Sequence, residues 1–64
     1  MKREEITRRR EALGLSKSAL ARKANLNVAT ISAIENGYLN PYPGQERKLH
    51  EAFERLESEA VNEG

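Results

Sequence analysis

The 64-residue sequence predicts an all-α fold in which four helices share one core. Apolar residues recur at helical spacing in four segments, and helix-starting or helix-stopping residues separate these segments. A chain this short permits only one domain. With no cysteine and a single histidine, neither disulfides nor a zinc site of the usual ligands can stabilise it. Helix packing must therefore supply the stability.

The first helix is predicted over residues 3–13. This segment contains good helix formers, and Ile6, Arg10 and Leu13 follow one another at spacings of four and three residues, which places them on one face. Gly14 is expected to end the helix, because glycine is a common residue at helix C-termini.

The second helix is predicted over residues 17–24, with Ser16 as its N-cap. The Ser16 hydroxyl can accept a hydrogen bond from a free backbone N–H, and Leu15 can pack against Leu20 as a hydrophobic staple. Asn25 is expected to end the helix in the left-handed region, which asparagine tolerates better than most residues. The side that faces the core consists of Leu20, Ala21 and Ala24.

The third helix is predicted to run from Asn27, its N-cap, through Asn36, where Gly37 helps to stop it. Helical spacing turns one set of apolar residues inward, namely Leu26, Ile31 and Ile34. The other faces carry small or short side chains, which are Val28, Ala29, Ser32 and Ala33.

The segment between residues 38 and 44 is predicted to be a loop, because Pro41 and Pro43 each remove a backbone donor and restrict the preceding residue. A fourth helix is expected to begin near Pro43 or Gly44 and to run to about Val61. Its apolar stripe consists of Leu49, Phe53, Leu56 and Ala60. A ladder of alternating charge accompanies it, formed by Arg47, Glu51, Arg55 and Glu59.

This fourth helix is longer than a four-helix core needs. We expect the core of the single domain to span about residues 3–56, with residues 57–64 as a frayed helix end or tail. The alternative to fraying is contact with another chain. We favour such contact, in a homodimer through Phe53, Leu56 and Ala60.

Charge is distributed unevenly along the chain. Residues 1–37 contain eight Lys or Arg against four Glu, a net charge of +4, whereas residues 38–64 contain three against six, a net charge of −3. The basic half would attract a polyanion, although an unevenly charged solvated surface gives the same pattern. No segment is apolar enough to span a bilayer and no apolar secretory segment begins the chain, so we expect a cytoplasmic protein.

The residues that most enzymes and metal sites require are scarce. The sequence has no Cys, no Asp, one His and no glycine-rich phosphate loop. His50 lies within the fourth predicted helix and is better explained as a surface side chain than as a catalyst. We therefore expect no enzymatic activity, no metal, no cofactor and no small-molecule ligand.

Two short helices joined by a tight turn form the unit that lets a helix enter the major groove of DNA. Residues 15–37, LSKSALARKANLNVATISAIENG, resemble the helix-turn-helix of the lambda repressor and Cro family, also described as xenobiotic-response-element-like regulators. The resemblance covers about residues 6–53. It implies a compact, lambda-repressor-like four-helix DNA-binding domain, here with an extended C-terminal helix and no separate fifth helix.

The resemblance also implies a structural ion pair. Arg10 and Glu35 occupy positions that in this family often form a partly buried pair between the first helix and the end of the recognition helix. Two independent surface charges are the alternative. Three features depart from the family pattern: Lys17 replaces a frequent Gln, Asn25 replaces a frequent Gly, and the fifth helix is missing, so the dimer geometry of the family cannot be assumed.

By position in the motif, two sets of residues are expected to contact duplex DNA. The base-contacting set is Asn27, Val28, Ala29, Ser32 and Ala33. The phosphate-contacting set is Arg10, Lys17, Thr30, Asn36 and Tyr38. Because the base-contacting set lacks Arg, Lys and Gln, we expect readout to rely on thymine methyl groups, on Asn27 and on DNA shape, at an A·T-containing half-site.

These residues predict a small transcriptional repressor or regulator of phage or mobile-element type. It would bind double-stranded DNA as a homodimer, at least on DNA, because a single module with few base contacts binds weakly. The alternative is an antitoxin-like regulator whose acidic C-terminal helix binds a protein partner.

Overall fold

Four α-helices form the regular structure of the chain. A computed structural model describes residues 1–62, with α1 at Arg3–Ala12, α2 at Lys17–Ala24, α3 at Val28–Glu35 and α4 at Pro43–Asn62. No strand occurs among these residues, so the predicted all-α class with four helices is confirmed. None of the four helices is both long and apolar enough to cross a membrane.

The core is built from nine buried apolar residues, and all four helices contribute to it. They are Ile6, Leu20, Ala21, Ala24, Ile31, Ile34, Leu49, Ala52 and Phe53. Over residues 1–61 no polar or charged residue is fully buried, so apolar burial supplies the core. α2 packs against both α3 and α4, and α1 packs against α3. The α2–α3 pair is therefore held from two sides.

The turn between α2 and α3 has the geometry that the sequence predicts. The Ser16 hydroxyl accepts a hydrogen bond from the Ala19 N–H at 3.0 Å, which caps the start of α2. At the other end Asn25 adopts φ 56° and ψ 47°, in the left-handed region. The Leu26 N–H then donates to the Ala21 carbonyl at 2.8 Å, so the chain turns sharply and Leu26 packs against the core.

The apolar stripe of α4 begins inside the domain and ends outside it. Leu49 and Phe53 are fully buried, Leu56 is half-buried and Ala60 is exposed. The prediction that Phe53 contacts a second chain is therefore wrong. Helical spacing identifies the apolar face of α4, but it does not show how far the domain's own core covers that face.

α4 remains helical beyond residue 56, where the sequence predicts a frayed end or tail. Arg9 of α1 donates through Nε and Nη2 to the two carboxylate oxygens of Glu57, at 2.8 and 2.7 Å. The same guanidinium lies over the Phe53 ring, 4.7 Å from its centroid. These contacts fix the turn of α4 around Glu57 against α1, and α4 continues through Asn62. Residues 63 and 64, the last part of the predicted tail, lie outside the described residues.

Candidate nucleic-acid interface

α3 has one buried side and one open end. Ile31 is 0% exposed and Ile34 is 1% exposed, and together they fix the helix to the core. Asn27 and Ala29, by contrast, are exposed, and Val28 keeps 44% of its surface. The leading end of α3, defined here as residues 27–29, is therefore accessible to a macromolecular partner.

The other two residues of the predicted base-contacting set lie one turn further along α3. Ser32 and Ala33 are half-buried, so each offers part of its surface. Residues three and four apart on a helix are neighbours, which joins Ser32 and Ala33 to the leading end on one continuous surface. This surface carries no charged side chain.

Asn27 has a second role that restricts what it can donate or accept. Its side-chain oxygen accepts a hydrogen bond from the Ala29 N–H at 2.8 Å, which caps the start of α3. While this cap is kept, the amide nitrogen of Asn27 is free to bind an outside group, and the oxygen keeps one of its two lone pairs for a second bond. Asn27 can then donate to a base-edge acceptor in the groove.

Arg10 and Glu35 form an ion pair at the junction of α1 and α3. Arg10 donates to Glu35 through Nε at 2.8 Å and through Nη2 at 3.0 Å. Thr7 also donates to this carboxylate at 3.0 Å. The side chains of Arg10 and Glu35 are only 12% and 3% exposed. The hydrogen bond to Glu35, opposed by desolvation, raises the pKa of Arg10 above its ordinary value.

This ion pair removes Arg10 from the phosphate-contacting set. Nη1 donates to the Leu15 carbonyl at 2.8 Å, so every nitrogen of the Arg10 guanidinium already donates inside the protein. The prediction that Arg10 contacts phosphate therefore conflicts with the geometry. The sequence predicts both a phosphate contact and a structural ion pair for Arg10. Because the side chain is largely buried beside Glu35, only the ion pair fits the structure.

The remaining members of the phosphate-contacting set are accessible. Lys17 stands in the first turn of α2 and Thr30 in the first turn of α3, both half-buried. Asn36 is exposed at the C-cap of α3, with its amide nitrogen 3.4 Å from the Ser32 hydroxyl oxygen. Tyr38 is 85% exposed in the following loop.

Three contacts around the motif were not predicted. Arg3 of α1 reaches the end of α3, where Nη1 donates to the Asn36 carbonyl at 3.5 Å. Gly37 has φ 83°, and the Arg3 side chain fills the space that a Cβ at residue 37 would need. From α4, Lys48 and Arg55 donate to backbone carbonyls at the end of α2. Lys48 and Arg55 are exposed cations, and the sequence carries no signal for these long-range partners.

The described residues contain no cluster of three or more His, Cys, Asp or Glu side chains that could hold a metal ion. The chemistry available at the α2–α3 surface is thus hydrogen bonding, apolar contact and positive charge. These are the means by which proteins bind duplex DNA.

Comparison with known proteins identifies the family. No curated protein and no solved structure matches the chain. A family model described as helix-turn-helix, of the Cro/C1 type, matches residues 6–54, which is well over half of the chain. The match includes α2, the left-handed turn and α3, together with both members of the Arg10–Glu35 pair. The chain therefore belongs to the lambda repressor and Cro-type helix-turn-helix family of DNA-binding transcription regulators.

Proposed function

We propose that this protein binds a specific double-stranded DNA site as a small transcriptional repressor of phage or mobile-element type. It would act by occupying a promoter, with α3 in the major groove. The observation that carries the proposal is the exposed leading end of α3, residues 27–29, on a helix whose opposite side is buried through Ile31 and Ile34.

The proposed base contacts follow from the side chains on this surface. Val28 and Ala29 offer methyl groups, which favour contact with the thymine methyl in the major groove. Asn27 donates through its amide nitrogen while its oxygen keeps the cap. Ser32 and Ala33 complete the surface one turn later. Such a surface favours an A·T-containing half-site and relies on DNA shape for part of its discrimination.

The proposed phosphate contacts surround α3 and fix its position on the duplex. They come from Lys17, Thr30, Asn36 and Tyr38. Lys17 lies beside the N-terminus of α2, where the helix dipole and free N–H groups also favour a phosphate. The net charge of +4 over residues 1–37 adds a general attraction for DNA.

Selection of bound duplexes from a random pool tests the base contacts. We expect an A·T-containing preferred site, and we expect Val28→Ala and Ala29→Gln to change it. Ala12→Gln is the matched control, because Ala12 is an exposed alanine at the end of α1 that lies outside the proposed DNA and dimer contacts. If both α3 variants select the same sequence as the unmodified protein, the proposed readout is wrong.

We further propose that two copies bind two half-sites about one helical turn apart, and that the end of α4 joins them. The apolar stripe supports this, because it continues from the core through half-buried Leu56 to exposed Ala60, and Val61 beside it is 79% exposed. Leu56→Glu should abolish the dimer in sedimentation at micromolar concentration. A chain that remains monomeric on its selected DNA would refute this contact and leave the end of α4 for a different protein partner.

A further inference from the structure

Two cations of α4 contact the end of α2, next to the turn that leads into α3. Arg55 Nη2 donates to the Lys23 carbonyl at 2.9 Å. Lys48 Nζ donates to the Asn25 carbonyl at 3.4 Å. Arg55 lies one residue beyond the segment that the family model matches, whereas Lys48 lies within it.

These two bonds extend the cap of α2. The last carbonyls of a helix lack partners within the helix. The Ala21 and Arg22 carbonyls accept from the backbone N–H groups of Leu26 and Asn25. The Lys23 and Asn25 carbonyls have no such backbone donor among residues 1–62 and instead accept from α4. A positive charge at this end of α2 is also favoured by the helix dipole.

The spacing of Lys48 and Arg55 on α4 brings both cations to the C-terminal end of α2. Lys48 and Arg55 are seven residues apart, which puts them two turns apart on the same face of a helix. Buried Ala52 lies between them, and buried Ala24 is the last residue of α2. Small side chains let the two helices come close, so that both charged side chains reach the α2 backbone.

Asn25 is two residues before Asn27, the N-cap of α3. A hydrogen bond to the Asn25 carbonyl therefore also restrains the start of α3. We propose that Arg55 and Lys48 are positioning residues for DNA recognition. They act through the α2–α3 turn and set the angle at which the leading end of α3 meets the groove. This inference rests on the proposed function, since it concerns the same α3 surface.

The test compares Lys48→Met, Arg55→Met and the double variant with Arg8→Met. Methionine keeps an unbranched apolar stem and good helix propensity but cannot donate. Arg8 is the matched control, because it is an exposed cation of α1 whose side chain makes no hydrogen bond to residues 1–61. Binding to the selected duplex and to a scrambled duplex is measured across a salt series, at a temperature where every variant is folded.

We expect the double variant to bind the selected duplex about 3- to 10-fold more weakly, the size of effect that hydrogen bonds to a positioned backbone can have. Binding to the scrambled duplex and the salt slope should stay unchanged. Arg55→Lys should bind the selected duplex more tightly than Arg55→Met does and almost as tightly as the unmodified protein, because lysine keeps a cationic donor at this position. Arg8→Met should leave the preference for the selected duplex intact.

Two results would overturn the inference. Equal weakening on both duplexes, with a salt slope about 0.9 lower for each lost cation, would mean that Lys48 and Arg55 bind phosphates directly. A lower melting temperature with unchanged affinity would mean that they only stabilise the fold.

A second measurement needs no DNA. Amide hydrogen exchange of Leu26 should become faster in the double variant, while exchange in α1 does not change. Unchanged exchange at Leu26 would refute the inference even if the protein binds DNA. If the unmodified protein selects no duplex, the proposed function fails, and the exchange result still decides whether α4 holds the turn.

Discussion

Removing Arg10 should destabilise the protein severely. Glu35 is 3% exposed and accepts two hydrogen bonds from Arg10 and one from Thr7. Arg10→Met takes away two of these three bonds and the compensating charge. Breaking a buried pair by removing one partner costs about 3–5 kcal/mol, because the other charge stays behind in a site with little water.

This loss is large relative to the stability of so small a domain. A chain of this length has a free energy of unfolding of about 3–10 kcal/mol. Each kcal/mol shifts the melting temperature of a domain this size by about 4–8 °C. Arg10→Met should therefore lower the melting temperature by more than about 12 °C, and it should leave part of the protein unfolded at 37 °C if the starting stability is near the low end.

A double-mutant cycle distinguishes a buried pair from two independent charges. Urea unfolding of Arg10→Met, Glu35→Leu and the double variant is followed by circular dichroism. The double variant should be more stable than Arg10→Met alone, because no uncompensated charge remains. If Arg10→Met loses less than about 1 kcal/mol, the pair behaves like a surface salt bridge and the reasoning is wrong.

Three further outcomes test other parts of the structure. Lys17→Met should weaken binding to every DNA sequence and reduce the salt slope by about one unit, as measured by titration on selected and scrambled duplexes; a change limited to the selected duplex would contradict a phosphate contact. The hydrogen bond from Arg9 lowers the pKa of Glu57 below its ordinary value of 4.5, so the folded state favours the charged carboxylate. The stabilisation by Glu57 should be fully present above the unfolded pKa and should disappear as the pH falls through the lower folded pKa. The difference in melting temperature between the unmodified protein and Glu57→Gln should accordingly shrink below about pH 4.5, and a constant difference would rule out this linkage. Asn25→Ala should lower the free energy of unfolding by about 1 kcal/mol, because alanine is strained at φ 56°, whereas Asn25→Gly should not, and equal effects of the two would contradict this account.

Local signals in the sequence were sufficient for the helices and the turn. Ser16 and Asn27 cap their helices through hydrogen bonds that span two or three residues, and Asn25 adopts the left-handed conformation by itself. Such interactions depend on near neighbours, which the sequence displays directly. The same holds for the two buried isoleucines of α3, since helical spacing alone identifies them.

Contacts between distant segments were harder to predict. Helical spacing groups Phe53 with Leu56 as a dimer contact, yet Phe53 is fully buried in the core that residues of all four helices form. Arg9 reaches Glu57 across 48 residues and Arg55 reaches Lys23 across 32. Charged side chains with long flexible stems can pair with many groups, so their partners depend on the packed structure rather than on local pattern.

Besides supplying buried residues to the core, α4 makes long-range contacts with α1 and with the end of α2. Arg9 of α1 binds Glu57 of α4. Lys48 and Arg55 connect α4 to the turn before α3. If the end of α4 joins two copies, then one rigid helix both joins the partner copy and holds the start of the recognition helix. Loosening the Arg9–Glu57 contact should then reduce the affinity for a paired site more than the affinity for a single half-site. Titration of Glu57→Gln on duplexes with one and two half-sites measures this ratio. An equal loss on both duplexes would mean that α4 stabilises each domain separately and does not set the geometry of the pair.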